Sequence, residues 1–280
     1  MKLKYMMGTA VLLLVIAGVF NMLYVPETIK SEKNIESPTV FVHGYKGTKN
    51  SFGNMLERFE YTYGLGRTAL IYKVSPDGKL DVYHLNNGGY TETVFVQAIF
   101  EDNRASIQNT SEWLAKLMAH MKKTYGVKTA NLAGHSMGGL VSMAYTENYQ
   151  DYSLYPKVNK LAVIGSPIDG IYNESYFEIH HDPAAEDLKP DSYALKRLRL
   201  NKDAIPEDLE ILSIGSTGDS VARPESVEGI RNIVDEKQLT YKMIEDPTLG
   251  HSELHEDARV DKMIYSFLQL QERSETTAKD

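Results

Sequence analysis

Two hydrophobic periods alternate along the chain. Short runs rich in Val, Ile, Leu and Phe read as strands: Thr39 to Val42, Ala69 to Val74, Val94 to Phe100, Thr129 to Ala133, Lys160 to Gly165, Leu209 to Gly215 and Leu239 to Ile244. Between some of them the period lengthens to that of a helix, over Ser51 to Tyr61, Ser106 to Tyr125 and Met137 to Asn148. In the second helix Leu114, Leu117, Met118 and Met121 recur at spacings of three and four, a stripe that suits a core better than a binding groove. Trp113 is expected at the edge of this helix and His120 on its surface. Ser75-Pro76-Asp77-Gly78 is a turn signal, since Pro presets φ and Gly accepts a positive one. The alternating run Lys79 to Leu85 behind it is the expected hairpin partner. An early β-hairpin followed by strand and helix in alternation, with no internal repeat, predicts an α/β domain.

The ends of the chain differ from this middle. Tyr5 to Val25 is uncharged and apolar, and as a helix it would reach about 30 Å, the thickness of a bilayer's hydrocarbon core. Residues 1–25 are therefore expected to be a signal anchor. A cleaved signal peptide is the open alternative, with Ala17-Gly18-Val19 a poor approximation to a cleavage site. Lys2 and Lys4 favour a cytoplasmic amino terminus and an outward-facing domain, although Lys30 and Lys33 blunt the asymmetry. Residues 26–38, bracketed by prolines, suit a linker; residues 39–271 suit one domain and 272–280 a polar tail.

Composition narrows the chemistry. A chain of 280 residues can bury one large core. Its 30 Lys and Arg against 38 Asp and Glu give a net charge of −8, which disfavours nucleic acid as a partner. Cysteine is absent, which excludes disulfides, thiolate metal sites and a cysteine nucleophile, and leaves serine as the conventional nucleophile for acyl transfer.

Gly134-His135-Ser136-Met137-Gly138-Gly139 supplies that serine in a G-x-S-x-G pattern, with a strand before it and a helix after it. The turn joining them is so sharp that side chains flanking the serine would clash, hence the glycines. A nucleophilic serine needs a base, and the base an orienting acid, in the chain order Ser, Asp or Glu, His. Asp219 falls just past the strand Leu209 to Gly215, and His251 follows the strand Leu239 to Ile244, ahead of a C-terminal helix. Asp169 is an alternative acid and His255 an alternative base. A tetrahedral oxyanion also needs donors. The backbone N–H groups of Met137 and of Tyr45, in the loop His43-Gly44-Tyr45-Lys46-Gly47 after the first strand, are the candidates.

These segments, with Gly165-Ser166-Pro167-Ile168-Asp169-Gly170 and His251-Ser252-Glu253-Leu254-His255-Glu256, resemble the α/β-hydrolase superfamily. More narrowly, they resemble the Gram-positive cell-surface hydrolases, a lipase- and esterase-like group, over about Pro38 to Leu270. The resemblance implies an α/β-hydrolase fold: a mostly parallel central sheet with helices on both faces, here with an N-terminal β-hairpin and a lid-like insertion over residues 168–207. It implies Ser136, Asp219 and His251 as a triad, Tyr45 and Met137 as oxyanion donors, and no cofactor. Lys46 departs from the small residue common at that place, which bears on the polarity of the cleft mouth. The insertion carries Tyr172, Tyr176, Phe177, His180, His181 and Tyr193, which could line a substrate pocket or form a surface excursion. Neither His180-His181-Asp182 nor the acidic Glu101-Asp102-Asn103 has metal-site spacing.

The expected activity is cleavage of a small-molecule or lipid carboxylic ester outside the cytoplasmic membrane, with the membrane as partner of the N-terminal segment. The same triad would serve a thioesterase, amidase or acyltransferase, and a non-catalytic membrane-tethered binding module is the other alternative.

Overall fold

The computed structural model describes residues 34–85 and 93–269. Eight strands form one sheet: β1 (Thr39–Val42), β2 (Arg67–Val74), β3 (Leu80–His84), β4 (Val94–Phe100), β5 (Thr129–His135), β6 (Lys157–Ile164), β7 (Glu210–Ser216) and β8 (Leu239–Ile244), in the order β3-β2-β4-β1-β5-β6-β7-β8. Every neighbouring pair is parallel except β2 with β3. This is the expected α/β-hydrolase architecture. The hairpin of β2 and β3 follows β1 in the chain and closes one edge of the sheet. Edge strand β3 is the polar one, with Tyr83 and His84 exposed, whereas central β1 is buried on both faces.

Alternation along the strands builds two cores. Val40, Val42 and Leu132 face one layer, while Phe41 and Ala133 face the other. The first layer receives α2 (Ile107–Tyr125) and α3 (Met137–Asn148); the second receives α1 (Asn50–Glu57) and α8 (Ala258–Gln269). The side chain of Ser106 caps α2 by accepting from the Asn109 N–H, and Gly126 ends it with a left-handed φ of 65°. Its Leu and Met stripe is buried as expected. Two expectations on this helix are corrected. Trp113 is 6% exposed and packs on Phe100, because the bulk of an indole is worth more inside than at a margin. His120 is half-buried and shares a hydrogen bond with the Tyr72 hydroxyl at 2.8 Å, so it joins α2 to β2.

α1 runs on into a π-helical turn, Arg58–Thr62, and Arg58 grips the buried Asp261 of α8 through Nε and Nη2. The predicted insertion is three short helices, α4 (Glu174–Glu178), α5 (Pro183–Asp187) and α6 (Tyr193–Leu200), with α7 (Pro224–Glu228) following β7. Among the described residues no helix is long and apolar enough to cross a membrane, and the apolar run Tyr5 to Val25 lies outside them. So does the expected tail, residues 272–280.

Candidate active site

The carboxyl ends of β1, β5, β6 and β7 converge on Ser136. The turn between β5 and α3 gives this serine φ 56° and ψ −129°, a conformation that costs a non-glycine residue of order 1–3 kcal/mol. Its backbone is held on both sides against that strain. The Ser136 N–H donates to the Ile164 carbonyl at 2.8 Å, and the Ser166 hydroxyl donates to the Ser136 carbonyl at 2.7 Å. Gly138 is required by close approach, since a Cβ there would lie 2.1 Å from the Val42 carbonyl oxygen at the end of β1.

The residues predicted as a triad meet here. His251 Nε2 lies 2.9 Å from the Ser136 hydroxyl oxygen, and His251 Nδ1 lies 2.7 Å from Asp219 Oδ2. Asp219 is 2% exposed, and its other oxygen accepts from the N–H groups of Val221 and Ala222 at 2.9 and 2.8 Å. With one carboxylate oxygen occupied by backbone donors, the other is left for the imidazole. Asp169, the alternative acid, is instead engaged by Arg199 at 2.7 Å. His255, the alternative base, does not reach the serine; its ring stands edge-on to His135 at 4.9 Å.

His135, inside the elbow motif but given no role in the sequence reading, is buried against His251 with ring centroids 4.7 Å apart. Burial, then the neighbouring His251 and His255, holds its pKa well below the ordinary histidine value. As a neutral ring its Nε2 donates to the His251 carbonyl at 3.0 Å, so it steadies the loop that presents His251. Ser166 and His135 could have been suspected from their places in the two glycine-rich turns, but only packing shows what they hold.

The loop after β1 lies directly over the elbow. A Cβ on Gly44 would sit 2.8 Å from Ser136 Cβ and 3.3 Å from the Met137 nitrogen. The Gly44–Tyr45 peptide is anchored by its carbonyl. Phe100 N–H donates to His43 Nε2 at 3.0 Å, which leaves the proton on Nδ1 to be donated to the Gly44 carbonyl at 2.9 Å; Gly47 N–H donates to the same oxygen at 3.0 Å. Burial lowers the His43 pKa and keeps that ring neutral. In a trans peptide the N–H points opposite to the carbonyl, so Tyr45 N–H is turned away from these donors. Neither it nor the Met137 N–H donates to a group among the described residues. No cluster of metal-ligating side chains occurs among the described residues.

A paired serine, imidazole and carboxylate at the strand ends of a parallel α/β sheet defines the α/β hydrolases. A family model described as alpha/beta hydrolase of unknown function (DUF915) matches residues 26–271, and the chain belongs to that family. No curated protein matches significantly. Among solved structures, the lin2722 gene product of Listeria innocua is 22% identical with a TM-score of 0.69, covering 84% of this chain and 94% of that one. A protein from Lactobacillus plantarum proposed to be a cell surface hydrolase is 21% identical with a TM-score of 0.64, covering 85% and 92%. A lipase-esterase related protein from Clostridium acetobutylicum is 17% identical with a TM-score of 0.51, covering 85% and 96%. At these identities the likeness is one of fold.

Proposed function

We propose that this hydrolase cleaves carboxylic esters through an acyl-enzyme formed on Ser136. The observation that carries the reading is the unbroken chain of short contacts from the Ser136 hydroxyl through both nitrogens of His251 to Asp219. Ser136 Oγ attacks the acyl carbon while His251 Nε2 takes its proton, and Asp219 holds the imidazole in the tautomer that leaves Nε2 free to accept. The oxyanion is received by the N–H groups of Met137 and Tyr45. Collapse expels the alcohol with the proton from Nε2, and water repeats the sequence to release the acid. The apolar run Tyr5 to Val25 and the fold likeness to a protein proposed to act at the cell surface support a domain held outside the cytoplasmic membrane.

A fluorophosphonate probe should label Ser136, and Ser136→Ala should abolish labelling and lower turnover of a p-nitrophenyl ester by about a thousandfold or more. Ester turnover persisting in that variant rejects the assignment. A matched panel of ester, thioester and amide substrates identifies the leaving group, with the ester expected to be fastest. Protease accessibility of the domain on intact cells tests the location.

A further inference from the structure

The insertion touches the loop after β1 through a half-buried polar contact that the triad chemistry leaves unexplained. The Tyr45 hydroxyl donates to Asp182 Oδ2 at 2.6 Å, and Arg104 Nη1 lies 2.8 Å from the same oxygen and 3.2 Å from the phenol. Asp182 is not a loose surface charge. Its other oxygen accepts from Ala185 N–H at 3.1 Å and so caps α5, whose residues Ala184 and Ala185 are fully buried. α5 is in turn stitched to the segment after β4, with Ala184 N–H donating to the Arg104 carbonyl at 3.0 Å and Ile107 N–H to the Asp187 carboxylate at 2.7 Å. That same segment holds the Tyr45 loop from below: Lys46 N–H donates to the Asn103 carbonyl at 2.8 Å, and the Asn103 amide donates to the Gly47 carbonyl at 2.9 Å. Lys46 has φ 57°, a strained value for a lysine that these contacts must maintain.

Resting on the ester-hydrolase reading above, we infer that Tyr45, Asp182 and Arg104 form a latch by which the insertion sets the direction of the Tyr45 N–H, one of the two oxyanion donors. The geometry argues this at the level of one peptide unit. His43 and Gly47 fix the carbonyl end of the Gly44–Tyr45 peptide and Asn103 holds the Lys46 N–H behind it, which leaves rocking of the unit between these two anchors as its remaining freedom. The Tyr45 side chain, leaving from the other end of the unit and tied at its tip to Asp182, removes that freedom. Tyr176 and His180 flank the ring at centroid distances of 6.2 and 5.5 Å, and Lys46 Nζ lies 4.9 Å above it, so the ring is packed along its length as well as bonded at its tip. Asp182 and Arg104 touch no reacting atom in this scheme and are positioning residues.

Tyr45→Phe removes the one hydroxyl and keeps the ring. It should lower kcat roughly ten- to hundredfold with KM changed by no more than about twofold, since a misdirected donor is felt where charge develops on the acyl oxygen. Affinity for an arylboronic acid, which forms a tetrahedral adduct on the serine, should fall by the same factor as kcat/KM, a correlation a merely structural brace would not produce. Asp182→Asn retains the helix cap and an acceptor, and should show a smaller loss. The double variant should be no worse than Tyr45→Phe alone, because both act through one contact. Equal melting temperatures for the wild type and Tyr45→Phe are expected within a few degrees. Wild-type kcat and boronate affinity in Tyr45→Phe, a loss confined to KM, or additive losses in the double variant would each overturn the latch while ester turnover by the wild type stands. A wild-type protein that neither turns over esters nor takes the fluorophosphonate would overturn the ester reading itself, and the latch with it.

Discussion

The two ends of α3 are built to different standards. At its amino end, Ser136 is held by backbone contacts on both sides, His251 and Asp219 are fully partnered across the serine, and His43 and His135 each spend a ring proton on a backbone carbonyl. At its carboxyl end, Glu147 Oε1 and the Tyr145 hydroxyl are buried without a hydrogen-bond partner. Burial, only partly opposed by Arg197, pushes the Glu147 carboxyl up to about 8. A cavity of about 320 Å³ opens beside it, lined by Glu112, Asp187, Tyr193 and Arg197 among others. An unpaired buried polar group costs on the order of 1–3 kcal/mol, yet the helix carries two within one turn. The contrast is one of particular groups: Ser136, His251 and Asp219 are held atom by atom, whereas the far end carries two unpaired groups and is tied by Arg197 Nη2, which donates to Asn148 Oδ1 at 3.4 Å.

The comparison breaks first at the catalytic end. Asp219→Asn should lower kcat by about ten-thousandfold with the fold intact, because an amide in place of the carboxylate favours the wrong imidazole tautomer, as stopped-time assays with a chromogenic ester would record. A loss under tenfold would mean that the acid is elsewhere. One contact further out, His43→Ala should cost roughly a hundredfold in kcat by leaving the Gly44 carbonyl held by the Gly47 N–H without the imidazole. His43→Asn, whose amide can donate to the same oxygen, should recover part of it. Equal losses in the two variants would show that the ring matters for packing only.

At the distal end the expected effects are on stability. The folded Glu147 keeps its proton to about pH 8, while the unfolded one releases it near 4.5, so the folded state binds more protons between those values. Stability should therefore fall as pH rises through that window, at up to about 1.4 kcal/mol per pH unit, and level off above it. Denaturant midpoints for Glu147→Gln should lack this component of the slope; parallel curves for variant and wild type would show that Glu147 is ionised in the fold. Smallest of all, Tyr145→Phe should raise stability by about 1 kcal/mol, since it removes a hydroxyl that bonds to nothing and the small void left behind offsets part of the gain. Neither distal substitution should change ester kinetics.

Much of this could be read along the chain. β4, β8 and α3 begin and end where their patterns do: β4 is buried on both faces and α3 nearly all round, while β8, at the sheet's edge, alternates half-buried with exposed positions. Asp182-Pro183 carries the signature of a helix start, but nothing in the sequence ties its carboxylate to a tyrosine 137 positions away. Asp169 and Asp219 look alike in sequence, each a loop carboxylate after a strand. What separates them is a guanidinium from α6 on one and an imidazole on the other.

By itself the amino-acid order determined the α/β class, the sharp turn at Ser136 and the order in which a serine, loop carboxylates and histidines follow successive strands, because local sterics and strand periodicity are properties of neighbouring residues. Only the tertiary structure decided which histidine faces Ser136, which ring proton holds the Gly44 carbonyl, and that Tyr45 reaches across the molecule to Asp182. Those outcomes depend on distances between segments far apart in the chain, and such distances are set by how two cores pack on one twisted sheet rather than by any residue's own preference.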